Sequence, residues 1–592
     1  MYLLLFGLAA GLNIVLGARF WPQVLAGSLN DPDSYMRLLR IEDGVRAGRL
    51  ILDVARDQSG QGVMIEWSRL FDAMLWLLAA PLAPWMGWHK ALFWAGVASG
   101  PLAVGALGAL LGWAVEPLAR RRDLWIAAFA AAFLPGLVTI ALPGVVHYHV
   151  TLLAMLALTS GLVVRAWRGE RWHGFMAGLA GGLAVWVTPE TYPFVLMAFG
   201  ALLLRWMQTG RTMVLVYCAA GFFDLTVVGV LIDPPAGGYG SVEVDRLSFV
   251  YVVLGGALLV AGVLLLRVEH WAPRWRTLAA VAIVALLLGG WGWAFPGVVE
   301  GPYGILPPAE ARLFFGAIAE QRPVTGEGLV VFLFPGLCVV LYALARAWGG
   351  WRWRQNEAEL SALLKGPAPL PGLWLYVALC GGVALVLGAK FLLFVGFSAV
   401  LAAALLPVAL GDVVRRWGEA SPDLARRVRW GMMFLVLGVP ELALAFGPPM
   451  ADSGARAEAA GRAFPSCTLR DVAPLLQGAA GQVVLAGPED TPELLYRAPV
   501  LTVGSLFHHG VPGYLRDRAA WRAAPGPMEP PELKAAKVAY VLFCPRAARY
   551  ELVADLPVGS TIWDTLEAGN VPPWLAPVGQ DSAGWRLYRV TK

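Results

Sequence analysis

The sequence predicts a polytopic α-helical membrane protein that ends in a mixed α/β domain, and three observations predict it. Mean hydropathy is +0.62, with 58% hydrophobic and only 15% charged residues, too little polar cover for a water-soluble chain of 592 residues. About thirteen apolar stretches, each long enough to cross a bilayer, fill residues 1–447. Composition shifts abruptly at Gly447-Pro448-Pro449, after which short β-rich runs at 482–485, 500–503 and 538–543 alternate with Ala-rich helical stretches and Pro/Gly turns. The expected domains are a membrane-spanning one at 1–447 and a tail at 448–592 that is long enough to bury its own core.

Taken in order, residues 2–18 lack a basic n-region and a good cleavage site, so they read as a first span rather than a signal peptide. A large loop at 19–89, with an amphipathic piece near 71–85, precedes a return span at 92–115 and the triplet Arg120, Arg121, Arg122. Further spans fall near 124–142, 149–166, 174–187, 192–207, 212–232, 248–266, 277–294, 328–346, 373–388, 391–410 and 430–447. This threading puts every strongly basic loop on one face, including Arg165/Arg168/Arg171, Arg267/Arg274/Arg276, Arg352/Arg354/Lys365 and Arg426/Arg427/Arg429. By the positive-inside bias that face is cytoplasmic, as is the N-terminus. The tail then lies on the opposite, outer face of a multi-pass membrane protein. The net charge of +5 lies in these loops and reports orientation, not nucleic-acid binding. Trp348, Trp351 and Trp353, among arginines, read as membrane-surface anchors in contact with lipid.

Cys218, Cys338 and Cys380 fall in spans as small apolar residues, leaving Cys467 and Cys544 in the outer domain. A disulfide between them would close a loop of roughly 77 residues and contribute on the order of 4 kcal/mol.

Functional groups gather in the outward loops. The first opens Asn30-Asp31-Pro32-Asp33-Ser34-Tyr35 and continues to Glu66-Trp67-Ser68-Arg69 and Asp72. Asp33 reads as the cap of a helix over 34–45, whereas Asp31, fixed by the Pro32 turn, reads as a functional carboxylate at the membrane surface. Trp67, Arg69 and Asp72 fit either a site or an interfacial helix with an ion pair. The turn Pro143–His149 presents His147 and His149, which from a turn can reach one point as metal ligands or phosphate donors. Glu190 follows Pro189 as a helix-start charge or a site-lining acid. A third loop carries Arg312, Glu320 and Arg322, and Lys390 sits between two spans. His508 and His509 read as part of a surface loop.

The order of these pieces resembles the catalytic subunit of oligosaccharyltransferases, within the GT-C class of lipid-sugar-dependent glycosyltransferases. Asn30-Asp31-Pro32 with Tyr35 is similar to the family's F-D-P-type motif, His147-Tyr148-His149 stands where the second acidic motif falls, and Ala317-Ile318-Ala319-Glu320-Gln321-Arg322-Pro323 is similar to S-V-S-E-x-x-P. The resemblance implies a GT-C-like fold of about thirteen spans and transfer of a sugar or oligosaccharide from a polyprenyl-phosphate or -pyrophosphate donor to a glycan, lipid or protein acceptor. It implies Asp31 and Glu320 as catalytic groups, Lys390, Arg312 and Arg322 on the donor phosphate, and a divalent metal, Mn or Mg, on Asp31, His147 and His149. Two departures stand out. Both acids of the second motif are His, whose imidazoles suit Zn, Fe or Mn better than Mg. The tail lacks the W-W-D signature that grips a sequon, and Trp563-Asp564-Thr565 does not replace it, which points away from protein N-glycosylation. A polysaccharide polymerase or ligase is the nearest alternative. A transporter is the more distant one, since its midspan charges are scarce here.

Overall fold

The computed structural model describes residues 1–352, 371–418, 420–446, 466–546 and 549–591. The expected boundary at 447/448, the ring of Trp351 and residues Trp353, Arg354 and Lys365 lie outside them. Among the described residues, nine helices are long and apolar enough to cross a membrane, or up to eleven if each of two bent pairs is one span. The chain is a multi-pass membrane protein.

Both bends have local causes. Tyr2–Leu16 and Ala18–Leu25 meet at 52° around Gly17, where a Cβ would come within 2.4 Å of the Pro143 ring. Arg121–Phe133 and Pro135–Ala141 meet at 62° because Pro135 has no N–H to continue the helical ladder. Two expected spans form helices that are shorter or less apolar than those nine. Arg171–Val187 has 17 residues, about 26 Å at 1.5 Å per residue, less than the ~30 Å hydrocarbon core. Tyr192–Thr209 ends in Arg205, Gln208 and Thr209, which lower its hydropathy.

The close approach of Arg171–Val187 to Met213–Ile232 rests on glycine. A Cβ on Gly178 would lie 2.0 Å from the Cys218 carbonyl oxygen, and one on Gly221 2.2 Å from that of Phe175. Without a hydrophobic drive between helices in lipid, backbone contact of this kind supplies the packing.

Residues 53–54 and 63–64, β1 and β2, form a short antiparallel pair in the first loop. The C-terminal region carries β3 (Val483–Leu485), β4 (Leu501–Thr502), β5 (Tyr540–Phe543), β6 (Leu575–Gln580) and β7 (Arg586–Val590). Their order is β4-β3-β5-β7-β6. β3 runs parallel to β4 and β5, whereas β7 is antiparallel to β5 and β6. Cys467 and Cys544 are bonded, with their Cα atoms 5.9 Å apart.

The first loop is fastened to this region. Arg56 donates to the carbonyls of Ala498 and Leu495 at 2.7 Å each. Asp57, fully buried, accepts from Ser505 Oγ at 2.5 Å and Thr502 Oγ1 at 3.0 Å. Loop and region both border the cavity described next.

Candidate active site

The helix Pro32–Ala47 starts at Asp31, whose carboxylate accepts from the Ser34 amide at 3.0 Å while Pro32 fills the first turn. Asp31, not Asp33, is therefore the capping residue. Sequence spacing allowed both, and the extended backbone at Asp31 (φ −154°) decides it. Capping leaves its side chain in the lining of the cavity, so the structural and functional readings hold together.

The 143–149 turn is laced to this helix start. Gly144, at φ +84°, accepts from the Asn30 amide at 3.0 Å, and the Val146 amide donates to Ser34 Oγ at 2.7 Å. The lacing delivers His147 Nε2 to within 2.6 Å of Asp31 Oδ2, and His147 Nδ1 to 3.2 Å from His149 Nδ1. Asp31, His147 and His149 form one chain of contacts. Burial alone would lower the His147 pKa, but the Asp31 charge and hydrogen bond, with Glu320 and Asp33 nearby, raise it to about 9. Burial pushes Asp31 up, yet His147 and the Ser34 donors outweigh it and hold the carboxyl below its usual range.

A cavity of about 870 Å³ is lined by Asp31, Asp33, Trp67, His147, His149, Glu190, Glu320, Arg322 and Lys390. These residues come from six separate stretches of chain. Burial raises Glu320 and Asp33, and Asp33 is raised further by the Asp31 charge. Glu190 is pushed to about 7 by burial and by the charges of Glu320 and Glu66.

Three expected residues stand elsewhere. Arg312 is exposed on the helix Pro308–Ala317 and does not line the cavity. Asp72 is buried between Arg37 (3.0 Å) and Arg40, and Arg69 pairs with Asp233 at 2.5 Å. Both serve as supports: Asp72 holds Arg37, whose guanidinium lies 4.1 Å from the Trp67 ring centroid, and Asp233 ties Arg69 to Arg246. Arg322 lines the cavity but spends one nitrogen on Glu551.

Two cavity residues escaped the sequence reading. His508, expected in a surface loop, lines the cavity, and its Nε2 lies 2.6 Å from Asp245 Oδ2. Asp245 carried no motif; the only signal was a charged Asp245-Arg246 pair in a loop between apolar spans.

The residues present fit a divalent cation. Asp31, Asp33 and His147 each offer one ligand atom within 4.8 Å of the others. His149 Nε2 is buried with no hydrogen-bond partner among the described residues, as an imidazole awaiting a ligand would be. Mixed imidazole and carboxylate donors favour a transition ion such as Mn or Zn over Mg.

No family model matches the sequence, and comparison with curated proteins finds no match. Solved structures do match. The archaeal oligosaccharyltransferase AglB from Archaeoglobus fulgidus, in complex with an inhibitory peptide and a dolichol-phosphate, superposes with a TM-score of 0.68 at 14% identity, over 91% of this chain and 69% of that one. The Archaeoglobus fulgidus oligosaccharyltransferase tethered to an acceptor peptide containing the NVT sequon gives 0.63 at 14%, over 92% and 69%. Its complex with Zn and sulfate gives 0.59 at 13%, over 91% and 67%. The chain has the GT-C-like fold of archaeal oligosaccharyltransferases.

Proposed function

We propose that this protein is a membrane glycosyltransferase that moves a sugar or oligosaccharide from a polyprenyl-phosphate or -pyrophosphate donor to an acceptor on the extracytoplasmic face. The observation that carries the reading is the convergence of Asp31, His147, His149, Glu320 and Lys390 on one cavity. The similar archaeal enzymes, one holding a dolichol-phosphate and another an acceptor peptide, support the same class of donor and reaction. Residues 1–447 would form the membrane catalytic domain and 448–592 a periplasmic cover, with the N-terminus cytoplasmic in a bacterial inner membrane. A transporter would carry its ionisable groups near midspan, whereas His149 starts one helix and Lys390 ends another.

Transfer breaks the bond from the anomeric carbon to the phosphate oxygen, which leaves with the electron pair, and forms a bond from that carbon to the acceptor atom. The cavity poses an electrostatic problem for such a donor. Among the described residues nine carboxylates line it, against Arg37, Arg322 and Lys390, and Arg37 is already paired with Asp72. Lys390, with no ion-pair partner among the described residues, and the part of Arg322 not engaged by Glu551 would meet the leaving phosphate. Asp31, Asp33 and His147, with His149, would hold a divalent ion that neutralises further charge when bound. The acceptor proton needs a base. Asp31, bound to His147 and to the Ser34 donors, orients, while Glu320, raised by burial, accepts the proton.

Transfer from a polyprenyl-linked sugar in proteoliposomes tests the assignment. Asp31→Asn, His147→Ala and Glu320→Gln should each lower turnover by roughly 10²-fold or more, with folding checked by gel filtration. Wild-type turnover in both Asp31→Asn and His147→Ala would refute it.

A further inference from the structure

A second cluster lies on the same cavity, built from segments the reaction above does not use. His508 Nε2 and His509 Nε2 both converge on Asp245 Oδ2, at 2.6 and 2.7 Å. The three ligand atoms lie within 4.8 Å of one another. Asp245 belongs to the loop between Met213–Ile232 and Phe249–Val268, whereas the histidines precede the helix Val511–Arg522 of the C-terminal region. Behind His508, Glu66 of the first loop places Oε1 3.7 Å from Nδ1. The other oxygen of Glu66 is buried with no hydrogen-bond partner among the described residues.

From this geometry we propose that Asp245, His508 and His509 form a second divalent-metal site, of the zinc class, that clamps two distant segments around the cavity. The donor set is two imidazoles and a carboxylate, which suits zinc and leaves a fourth position open. Glu66, 3.7 Å from His508 Nδ1, adds a negative charge beside the cluster that favours a cation there. Charge agrees. With both imidazoles neutral, Asp245 and Glu66 leave two negative charges, which one divalent cation cancels. Without an ion, two imidazoles whose ring centroids are 4.5 Å apart must both direct protons at a single carboxylate oxygen. Asp245 and His508 face the cavity, so the open position can take an oxygen of whatever fills it. The site stands on its own residues and does not depend on the transfer reading.

Full-length protein in detergent, stripped of metal and titrated with Zn²⁺ alone, tests it by stoichiometry, with Co²⁺ absorption reporting imidazole ligation. Asp31→Asn/His147→Ala, which removes the first cluster, should still bind one equivalent of zinc. Adding His508→Asn/His509→Asn to that background should abolish it, weakening binding at least 100-fold. An unchanged stoichiometry and cobalt spectrum after the histidine substitutions overturns the proposal. If variants fail to fold, the wild type decides: a zinc anomalous peak between Asp245 and the two histidines is expected, and its absence at saturating zinc overturns the site. Failure of the first cluster alone shows instead as zinc retained here and lost at Asp31.

Discussion

Glu190 shows how a single cavity side chain sets a pH dependence. Its carboxyl sits near 7 because burial, then Glu320 and Glu66, disfavour its charge, and one of its oxygens has no hydrogen-bond partner among the described residues. The native state therefore holds a proton between the ordinary glutamate value of 4.5 and about 7 that the unfolded chain has lost. Stability conferred by the neutral carboxyl is complete below 4.5 and lost as pH rises through 7. Glu190→Gln cannot ionise. It should match the wild type at low pH and exceed it above pH 7 by no more than about 3 kcal/mol, as read from thermal unfolding across that range. Equal pH slopes in the two proteins would show that Glu190 is ionised throughout. Asp31 teaches the complementary point: one carboxylate caps a helix and lines the cavity, because capping needs one of its oxygens and leaves the rest of the group accessible.

Helix packing depends on what is absent from side chains. Arg171–Val187, only 17 residues long, holds its place against Met213–Ile232 because Gly178 and Gly221 let the backbones touch. Gly178→Ala would put a methyl carbon where the Cys218 carbonyl now lies, and backbone on both sides cannot yield cheaply. The expected cost is about 1–3 kcal/mol, seen as a lower unfolding temperature in detergent. An unchanged temperature would mean that the two helices do not approach as described. The helix Arg171–Val187 leads directly into Thr188-Pro189-Glu190, so its displacement should also lower transfer activity. In the turn that carries His147, Gly144 plays a similar part: its positive φ and the nearness of Val24 exclude a side chain.

The complete fold depends on the grip of the first loop on the C-terminal region, which encloses the cavity. Asp57 is central to that grip, buried and shared by Ser505, Thr502 and the Gln58 amide. Asp57→Ala strips three donors of their shared acceptor and should cost on the order of 3 kcal/mol. Hydrogen exchange should then quicken at residues 500–505 and leave the membrane helices unchanged. Protection that stays at the wild-type level there would show that Arg56 and the apolar contacts suffice.

Helices of bilayer length were legible along the chain because lipid forces every backbone polar group to be satisfied within its own segment, which demands long apolar runs visible without any partner. The strands at 483–485, 501–502 and 540–543 were legible for a similar local reason, as short β-rich runs between turns. Asp31, His147 and Glu320 stood out because polar groups beside lipid are costly and need a purpose. Asp245 and His508 did not stand out. They lie 263 residues apart, and a charge in a polar loop carries no penalty that marks it. Arg69 and Asp72 looked like site residues because their partners, Asp233 in one case and Arg37 and Arg40 in the other, become evident only after folding. Convergence of distant loops on one point is a property of three-dimensional closure, and no local energy term records it in the order of residues.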